Sequence, residues 1–142
     1  SAYRNDSDNK EPCNDTEIAL RWLMEAAPNT LIVVKAGPDG AIVAKSGYEI
    51  VRVAAPTLKK GECLDTCGAG DCFSAALLSK LLPQLCREND TNRNEGKMIE
   101  LNVLQPTSDI LLEAVSYGCK GGTWCCQQVG ACIKTVKRED LH

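Results

Sequence analysis

Residues 65–78 read DTCGAGDCFSAALL and form the most specific pattern in the chain. Gly68 and Gly70 flank Ala69 at a point where a loop becomes a helix. Small residues let backbone N–H groups converge on one point, and the first N–H groups of a helix have no intrahelical acceptor. A loop of this kind is an anion site that suits a phosphate group. The stretch therefore predicts phosphate binding at the start of a helix.

An acidic residue, Asp71, lies at the start of this predicted helix. A carboxylate beside a phosphate site repels the ligand unless it has a chemical role. The role that fits is to accept the proton of a hydroxyl group that attacks phosphorus. From these few residues alone, a glycine-rich helix start without any chemistry remains the alternative.

Two other glycine-loop motifs fail on the sequence. The dinucleotide fingerprint G-x-G-x-x-G/A has Phe73 at its last position. The Walker A motif G-x-x-x-x-G-K-[ST] is not met by GCKGGT at residues 118–123. A Rossmann-type dinucleotide binder is therefore the weakest of the functions considered.

Upstream of the loop, the first predicted element is a helix over residues 15–27, capped by Asp15 and ended by Pro28. Its apolar residues share one face at helical spacing. That face consists of Ile18, Ala19, Trp22, Leu23 and Ala26. We expect this face to pack against the rest of the fold.

Three strands are predicted between that helix and the loop. The continuous apolar run at residues 31–34 is typical of a buried strand in a parallel sheet. After a turn at residues 37–40, strands at 41–44 and 48–53 form a hairpin through residues 45–47.

Downstream, a helix over residues 70–82 is expected to stop at Pro83. Another helix begins after Thr107 or Ser108, both good N-caps, and runs to about residue 127. The remaining polar stretches are predicted to be a loose lead and a surface loop, at residues 1–14 and 86–106.

Composition excludes several classes of protein. The net charge of −3 and the 4% of aromatic residues argue against a nucleic-acid interface, which needs basic and stacking side chains. No apolar run approaches the roughly 20 residues of a membrane span. The polar first residues do not resemble a secretory signal, so we expect a cytoplasmic protein.

The chain has nine cysteines and one histidine, His142. No C-x-x-C pair occurs, which argues against a structural zinc site. A disulfide framework needs an oxidising compartment, to which nothing directs the chain. We therefore expect free cysteines that act as small buried hydrophobic residues.

A longer pattern extends beyond the glycine loop: Asp-Thr-x-Gly-Ala-Gly-Asp, then any three residues, then two small and two apolar residues. This pattern resembles the C-terminal signature of the ribokinase-like (PfkB) carbohydrate kinases. Residues 65–78 meet every position. Residues 33–41, VVKAGPDGA, are similar to the family's V-V-K-x-G-x-x-G-A turn beside the nucleotide. Residues 114–119 with Gly130 and Ala131 resemble the family's closing helix, in a form nearest to ketohexokinases.

This resemblance implies a fold and an activity. The fold is a three-layer α/β/α arrangement around a mixed, mostly parallel sheet. The activity is ATP-dependent phosphotransfer to a hydroxyl of a sugar or nucleoside. Asp71 would be the catalytic base and would contact the substrate. The N–H groups that hold the transferred phosphoryl group would come from Gly68, Ala69 and Gly70.

The resemblance also implies residues for the nucleotide and for ions. Lys35, Gly37 and Gly40 would lie on the ATP side, or form only a turn between strands. Gly118 and Gly122 would lie near adenine, or serve only close helix packing. Mg²⁺ would arrive with ATP, held mainly by phosphates and water. A monovalent cation, K⁺, would be held by Asp65, Cys67 and Gly130, with Cys67 where the family often has Thr.

The family's N-terminal half, with its sugar-gripping residues and its small β lid, has no counterpart in these residues. The chain therefore resembles the C-terminal part of a single kinase domain. Alone it should show little kinase activity, and homodimers would form through the missing part. A non-catalytic scaffold or regulatory subunit with this fold is the alternative, although it would not need Asp71. The particular sugar is left open.

Overall fold

The computed structural model of the protein describes residues 14–88 and 104–130. Within these ranges the chain forms three helices, three strands and one short 3-10 turn at Gly37–Asp39. The helices are α1 (Asn14–Ala26), α2 (Ala69–Glu88) and α3 (Asp109–Cys126). The strands are β1 (Ile32–Lys35), β2 (Ala41–Ala44) and β3 (Val51–Val53).

The three strands form one antiparallel sheet in the order β1-β2-β3. Ile32 pairs with Ala44, and Ala41 pairs with Val53. The predicted hairpin of β2 and β3 is confirmed. No parallel partner of β1 occurs among the described strands, so the mixed, mostly parallel sheet stays a prediction. Strands β1 and β2 are antiparallel, and the turn between them spans only a few residues. A parallel pair needs a crossover of about a dozen residues or more, and a turn this short joins antiparallel neighbours.

Helices cover both faces of this sheet. Successive side chains of β2 point to opposite faces, so Ile42 packs with Leu20 of α1, whereas Val43 packs with Phe73 of α2 and Val115 of α3. The described part of the chain is therefore an α/β structure in which the sheet lies between α1 and the pair of helices α2 and α3.

The limits of helix α1 agree with the prediction to within one residue, but Asp15 lies in its first turn instead of capping it, and the helix packs with a different face. Leu20 is 1% exposed against the sheet, whereas Ile18 and Trp22 are 58% and 67% exposed. The helix carries apolar residues on two sides, and the side with Leu20 and the half-buried Met24, four residues apart, contacts the sheet. The prediction that the Ile18–Trp22 face packs against these elements is wrong for the described residues.

Helices α2 and α3 differ from the prediction mainly at the end of α2. This helix continues through Pro83 to Glu88 instead of stopping at Pro83. Pro83 lies on the exposed side, where water can hydrate the carbonyl that loses its N–H partner. Helix α3 begins directly after Ser108, as predicted, although the Ser108 side chain makes no capping hydrogen bond.

Most of the predicted loose segments lie outside the described residues, which exclude positions 1–13, 89–103 and 131–142. Where the predicted surface loop at 86–106 is described, it is not entirely a surface feature, because Leu104 and Pro106 are buried. None of the helices in the described ranges combines the length and the apolar character needed to cross a bilayer.

Candidate active site

The glycine loop and the start of α2 form a compact set of backbone donors. Gly68 has a φ of +79°, a conformation that side chains disfavour, and α2 begins at the next residue. The N–H of Ala69 donates to the carbonyl of Thr66 at 3.2 Å, and the N–H of Asp71 donates to the carbonyl of Gly68 at 3.1 Å. Within residues 14–88 and 104–130, this leaves the N–H groups of Gly68 and Gly70 without a backbone acceptor. Two of the three predicted phosphate donors are therefore available to a ligand.

The predicted base, Asp71, lies in the first turn of α2 with an exposed side chain. It forms no ion pair with any residue in the described ranges. The positive end of the helix dipole lies at this turn, and it favours both a carboxylate and a bound phosphate. A substrate hydroxyl can therefore approach a carboxylate that no neighbouring cation occupies.

Lys35 reaches this loop from the end of β1. Its Nζ donates to the carbonyl of Gly70 at 3.2 Å. A Cβ added at Gly70 would lie 3.0 Å from the same Nζ. The structure thus brings together two motifs that are 35 residues apart in sequence, the β1–β2 turn and the anion loop. A positive charge beside free N–H donors suits a phosphate ligand.

The two glycines of the β1–β2 turn have different surroundings. Gly40 is buried with a φ of +96°, and a Cβ there would overlap the carbonyl oxygen of Val53 and lie 2.7 Å from the nitrogen of Ala55. Gly37 has a φ of +60° and open space around it. Turn geometry and close packing explain why position 40 needs glycine. A nucleotide contact by either residue stays a prediction.

The three residues predicted for a monovalent cation converge around one carboxylate. Asp65 Oδ1 accepts a hydrogen bond from the Cys67 N–H at 2.9 Å, and Oδ2 accepts one from the Gly130 N–H at 3.0 Å. The bond from Cys67 and, to a lesser extent, the bond from Gly130 hold the pKa of Asp65 below its ordinary value. Desolvation of the carboxylate acts in the opposite direction and is the smallest of the three effects. Each carboxylate oxygen already accepts one backbone N–H group, and the binding of K⁺ by Asp65, Cys67 and Gly130 stays a prediction. No group of three or more His, Cys, Asp or Glu side chains that could hold a metal ion occurs in the described ranges.

The predicted adenine residues lie where α3 packs on α2. A Cβ at Gly118 would lie 3.1 Å from Phe73 Cε2 and 3.2 Å from Leu77 Cβ, and one at Gly122 would lie 3.2 Å from the Ala69 carbonyl oxygen. Close helix packing accounts for both glycines, and their contact with adenine stays a prediction.

A cluster of cysteines surrounds this loop, which the sequence analysis missed. Cys125 is buried, and its Sγ donates to the Cys67 carbonyl at 3.4 Å. Burial, reinforced by Cys72, raises the pKa of Cys125 to about 12. Burial, reinforced by Cys63, also raises the pKa of Cys126. The six described cysteines are free, as predicted, but Cys63 and Cys67 are exposed. The spacing of Cys63, Cys67 and Cys72 about the glycines was the available signal.

In the part of the chain that the structure describes, a helix N-terminus with free N–H donors lies beside a lysine and a carboxylate that forms no ion pair there. In an α/β fold, such an arrangement can bind a phosphate group. The sequence profile described as pfkB family carbohydrate kinase matches residues 7–138. The chain belongs to this family, as its resemblance predicted.

Individual relatives agree with this assignment. A 2-dehydro-3-deoxygluconokinase from Escherichia coli strain ATCC 9637 is 38% identical over 74 residues, which cover 52% of this chain and 23% of that protein. The crystal structure of a fructokinase from Vibrio cholerae O395, bound to fructose, ADP and calcium, superposes with a TM-score of 0.56 at 26% identity. That match covers 81% of this chain and 30% of the fructokinase.

The fold alone is supported by phosphofructokinase-2 from Escherichia coli in complex with potassium. Its TM-score is 0.59 at 21% identity, over 92% of this chain and 33% of the other. The chain thus spans between about a quarter and a third of the length of the relatives it matches.

Proposed function

We propose that the protein catalyses ATP-dependent phosphotransfer to a hydroxyl group of a sugar or a sugar-like substrate. The observation that carries this proposal is the exposed carboxylate of Asp71 in the first turn of α2, next to the free N–H groups of Gly68 and Gly70. Membership of a carbohydrate kinase family supports the same activity. Such kinases need a base for the hydroxyl and fixed donors for the phosphoryl charge.

In this proposal Asp71 takes the proton of the attacking hydroxyl. The new bond joins that oxygen to the γ-phosphorus, and the bond from the γ-phosphorus to the β–γ bridging oxygen breaks. The N–H groups of Gly68 and Gly70 stabilise the charge on the transferred group. Preorganised donors of this type contribute roughly 3–4 kcal/mol in a site that excludes water. Ala69 would not donate to the phosphoryl group, because its N–H already donates to the carbonyl of Thr66. Its role would be to maintain the backbone conformation of the loop.

The nucleotide is expected on the side of the loop that carries Lys35. The ammonium group of Lys35 lies 3.2 Å from the carbonyl of Gly70. From there a small rotation of the side chain would bring it to a phosphate bound on the loop. Mg²⁺ would be held mainly by the phosphates and water, since it dehydrates reluctantly.

A monovalent cation beside Asp65 would order the anion loop. Asp65 already fixes Cys67, which precedes the loop, through the bond to its N–H. A fructokinase double mutant from Vibrio cholerae O395, 26% identical to this chain, was crystallised with fructose, ADP and potassium. This supports K⁺ as the cation to test first.

The sugar is to be sought among the substrates named for the relatives, 2-dehydro-3-deoxygluconate and fructose. The chain covers 30% of the fructokinase, so the substrate pocket would lie mostly in further residues of the fold. The exposed apolar side chains of Ile18 and Trp22 are consistent with such further residues. We therefore expect a polypeptide limited to these 142 residues to have little kinase activity.

The test is Asp71→Asn in the intact protein, with Asp109→Asn as a matched control. Both aspartates are exposed and lie in the first turn of a helix, but only Asp71 adjoins the loop. Sugar-dependent ADP release should fall about 10²- to 10⁴-fold for Asp71→Asn, the usual contribution of a general base, while ATP still binds. Asp109→Asn should retain normal turnover. Unchanged turnover in Asp71→Asn would contradict the mechanism and favour a non-catalytic scaffold.

A further inference from the structure

Two cysteines from distant parts of the chain meet beside the candidate site. Cys63 is exposed in the segment before Asp65, and Cys126 is the last residue of α3. The N–H of Leu64 donates to the carbonyl of Cys126 at 2.8 Å, and the N–H of Asp65 donates to the same oxygen at 3.2 Å. Since Cys63 directly precedes Leu64, these two bonds bring its backbone beside that of Cys126. The backbone thus holds the two cysteines next to each other.

We propose that Cys63 and Cys126 are an oxidative modification site, at which a hydroperoxide converts the two thiols into a reversible intramolecular disulfide. This inference does not depend on the proposed kinase activity, because it concerns only the chemistry of the two thiols. It differs from the expectation that the cysteines serve only as small buried hydrophobic residues.

The reaction proceeds in two balanced steps. The sulfur of Cys63 attacks one oxygen of the hydroperoxide, the O–O bond breaks, and Cys63 becomes a sulfenic acid. The other oxygen leaves as water or an alcohol and takes the thiol proton. The sulfur of Cys126 then attacks the sulfenic sulfur, the S–S bond forms and the S–O bond breaks. The hydroxyl leaves as water with the proton of Cys126, so two thiols are oxidised and one hydroperoxide is reduced.

Exposure assigns the order of these steps. Cys63 is exposed, so an oxidant in solution can reach its sulfur, whereas Cys126 is half-buried. A disulfide requires an S–S separation near 2.05 Å, and the backbone bonds from Leu64 and Asp65 to Cys126 already hold the two chain segments side by side. The neighbouring pair of Cys72 and Cys125 is less suited, because Cys125 is only 1% exposed and donates to the Cys67 carbonyl.

The disulfide would have a direct structural consequence. Asp65 lies two residues after Cys63, and its N–H is already bonded to Cys126. A covalent bond between the two sulfurs would therefore fix the segment that carries Asp65 against the end of α3. In the reduced protein, the hydrogen bonds from Leu64 and Asp65 to Cys126 hold this junction without a covalent link.

The experiment uses the intact protein, reduced, freed of reductant and treated with stoichiometric hydrogen peroxide. Remaining thiols are then blocked, and the protein is digested with trypsin without reduction. Cys63 lies in the tryptic peptide of residues 61–80 and Cys126 in that of residues 121–134. We expect these peptides to be recovered as one linked species, two hydrogens lighter than their sum, in monomeric protein. Dithiothreitol should separate them.

Each of the two peptides contains three cysteines, so cysteine variants are needed to identify which two sulfurs are linked. The linked species should be lost in Cys63→Ser and in Cys126→Ser or Cys126→Ala, and should persist in Cys72→Ser and Cys125→Ser. Circular dichroism checks that each variant is folded. Persistence of the link in Cys63→Ser, its loss in Cys72→Ser, or oxidation to sulfinic acid with no link in the wild type would overturn the proposal.

Discussion

The carboxylate of Asp65 accepts a hydrogen bond from the backbone N–H of Gly130 at 3.0 Å, across 65 residues of sequence. Its other oxygen accepts the N–H of Cys67 at 2.9 Å. One side chain therefore connects the residue before the anion loop to the residues after α3. Both donors stabilise the charged carboxylate, so this connection is strongest when Asp65 is ionised.

The first prediction concerns the pH dependence of this connection. The pKa of Asp65 is lowered in the folded protein, so its ionised form stabilises the fold above the unfolded-state pKa of about 3.9. That contribution is lost as the pH falls through the lower folded-state pKa. Asp65→Asn should lower the urea midpoint of the intact protein at pH 7, and the difference from wild type should shrink below about pH 4. Asp109→Asn, at an exposed position in α3, is the control and should cause a smaller loss. A difference that widens on acidification would contradict the role of the ionised carboxylate.

The second prediction concerns Lys35 and ATP. Removing its charge with Lys35→Gln should raise the KM for ATP about tenfold or more, since hydrogen bonds to charged groups contribute about 1.5–3 kcal/mol. Lys35→Arg keeps the charge and should recover part of the affinity. Lys120→Gln removes an exposed lysine from α3 and should leave the KM unchanged. Steady-state kinetics with varied ATP make the measurement. An unaltered KM in Lys35→Gln would mean that Lys35 only supports the turn.

The third prediction concerns the reactivity of Cys125. Burial raises its pKa to about 12 from an ordinary value of 9.0, so its thiolate fraction at pH 8 is about a thousandfold lower. Native protein treated with iodoacetamide at pH 8 should be alkylated at the exposed Cys63 long before Cys125, because the thiolate is the nucleophile. Mass spectrometry of quenched time points gives both rates. Urea should remove most of the difference. Equal rates in the folded protein would show that Cys125 is not sheltered.

The sequence predicted those parts of the fold and of the candidate site that depend on residue types within one short stretch of chain. The loop with Gly68 and Gly70 predicted a helix start with free donors, and α2 begins there at Ala69. The turn at residues 37–40 and the hairpin that follows were also predicted from local residue types. The meeting of Lys35 with Gly70 was not predicted, because no local pattern encodes a contact across 35 residues.

The failures have a common physical origin in packing partners that periodicity does not reveal. The apolar run of β1 does not reveal that its neighbour β2 is antiparallel, which the short turn between them determines. Helix α1 has two apolar sides, and only contact with Ile42 shows that the side of Leu20 faces the sheet. Pro83 is tolerated within α2 because it lies on the exposed side. The cysteines came together only through the fold.

The fourth prediction concerns the close approach of α2 and α3 at Gly121. A Cβ on Gly121 would lie 2.6 Å from Ala76 Cβ and 3.0 Å from the Cys72 carbonyl oxygen, so one of the helices must shift. Alanine favours a helix over glycine by about 1 kcal/mol, yet overpacking costs about 1–3 kcal/mol, so Gly121→Ala should be destabilising on balance. The measurement is the urea midpoint of the intact protein.

A compensating change separates the clash from other effects of Gly121→Ala. Ala76→Gly removes the nearest atom, so the double variant should be more stable than the sum of the two single losses predicts. The double variant should recover only part of the lost stability, because the Cys72 carbonyl oxygen would still lie 3.0 Å from the new Cβ. Gly122→Ala is the milder control, since its nearest contact is the Ala69 carbonyl oxygen at 3.2 Å. Strictly additive losses for Gly121→Ala and Ala76→Gly would contradict a direct contact, and a stabilising Gly121→Ala would mean that the helices lie further apart.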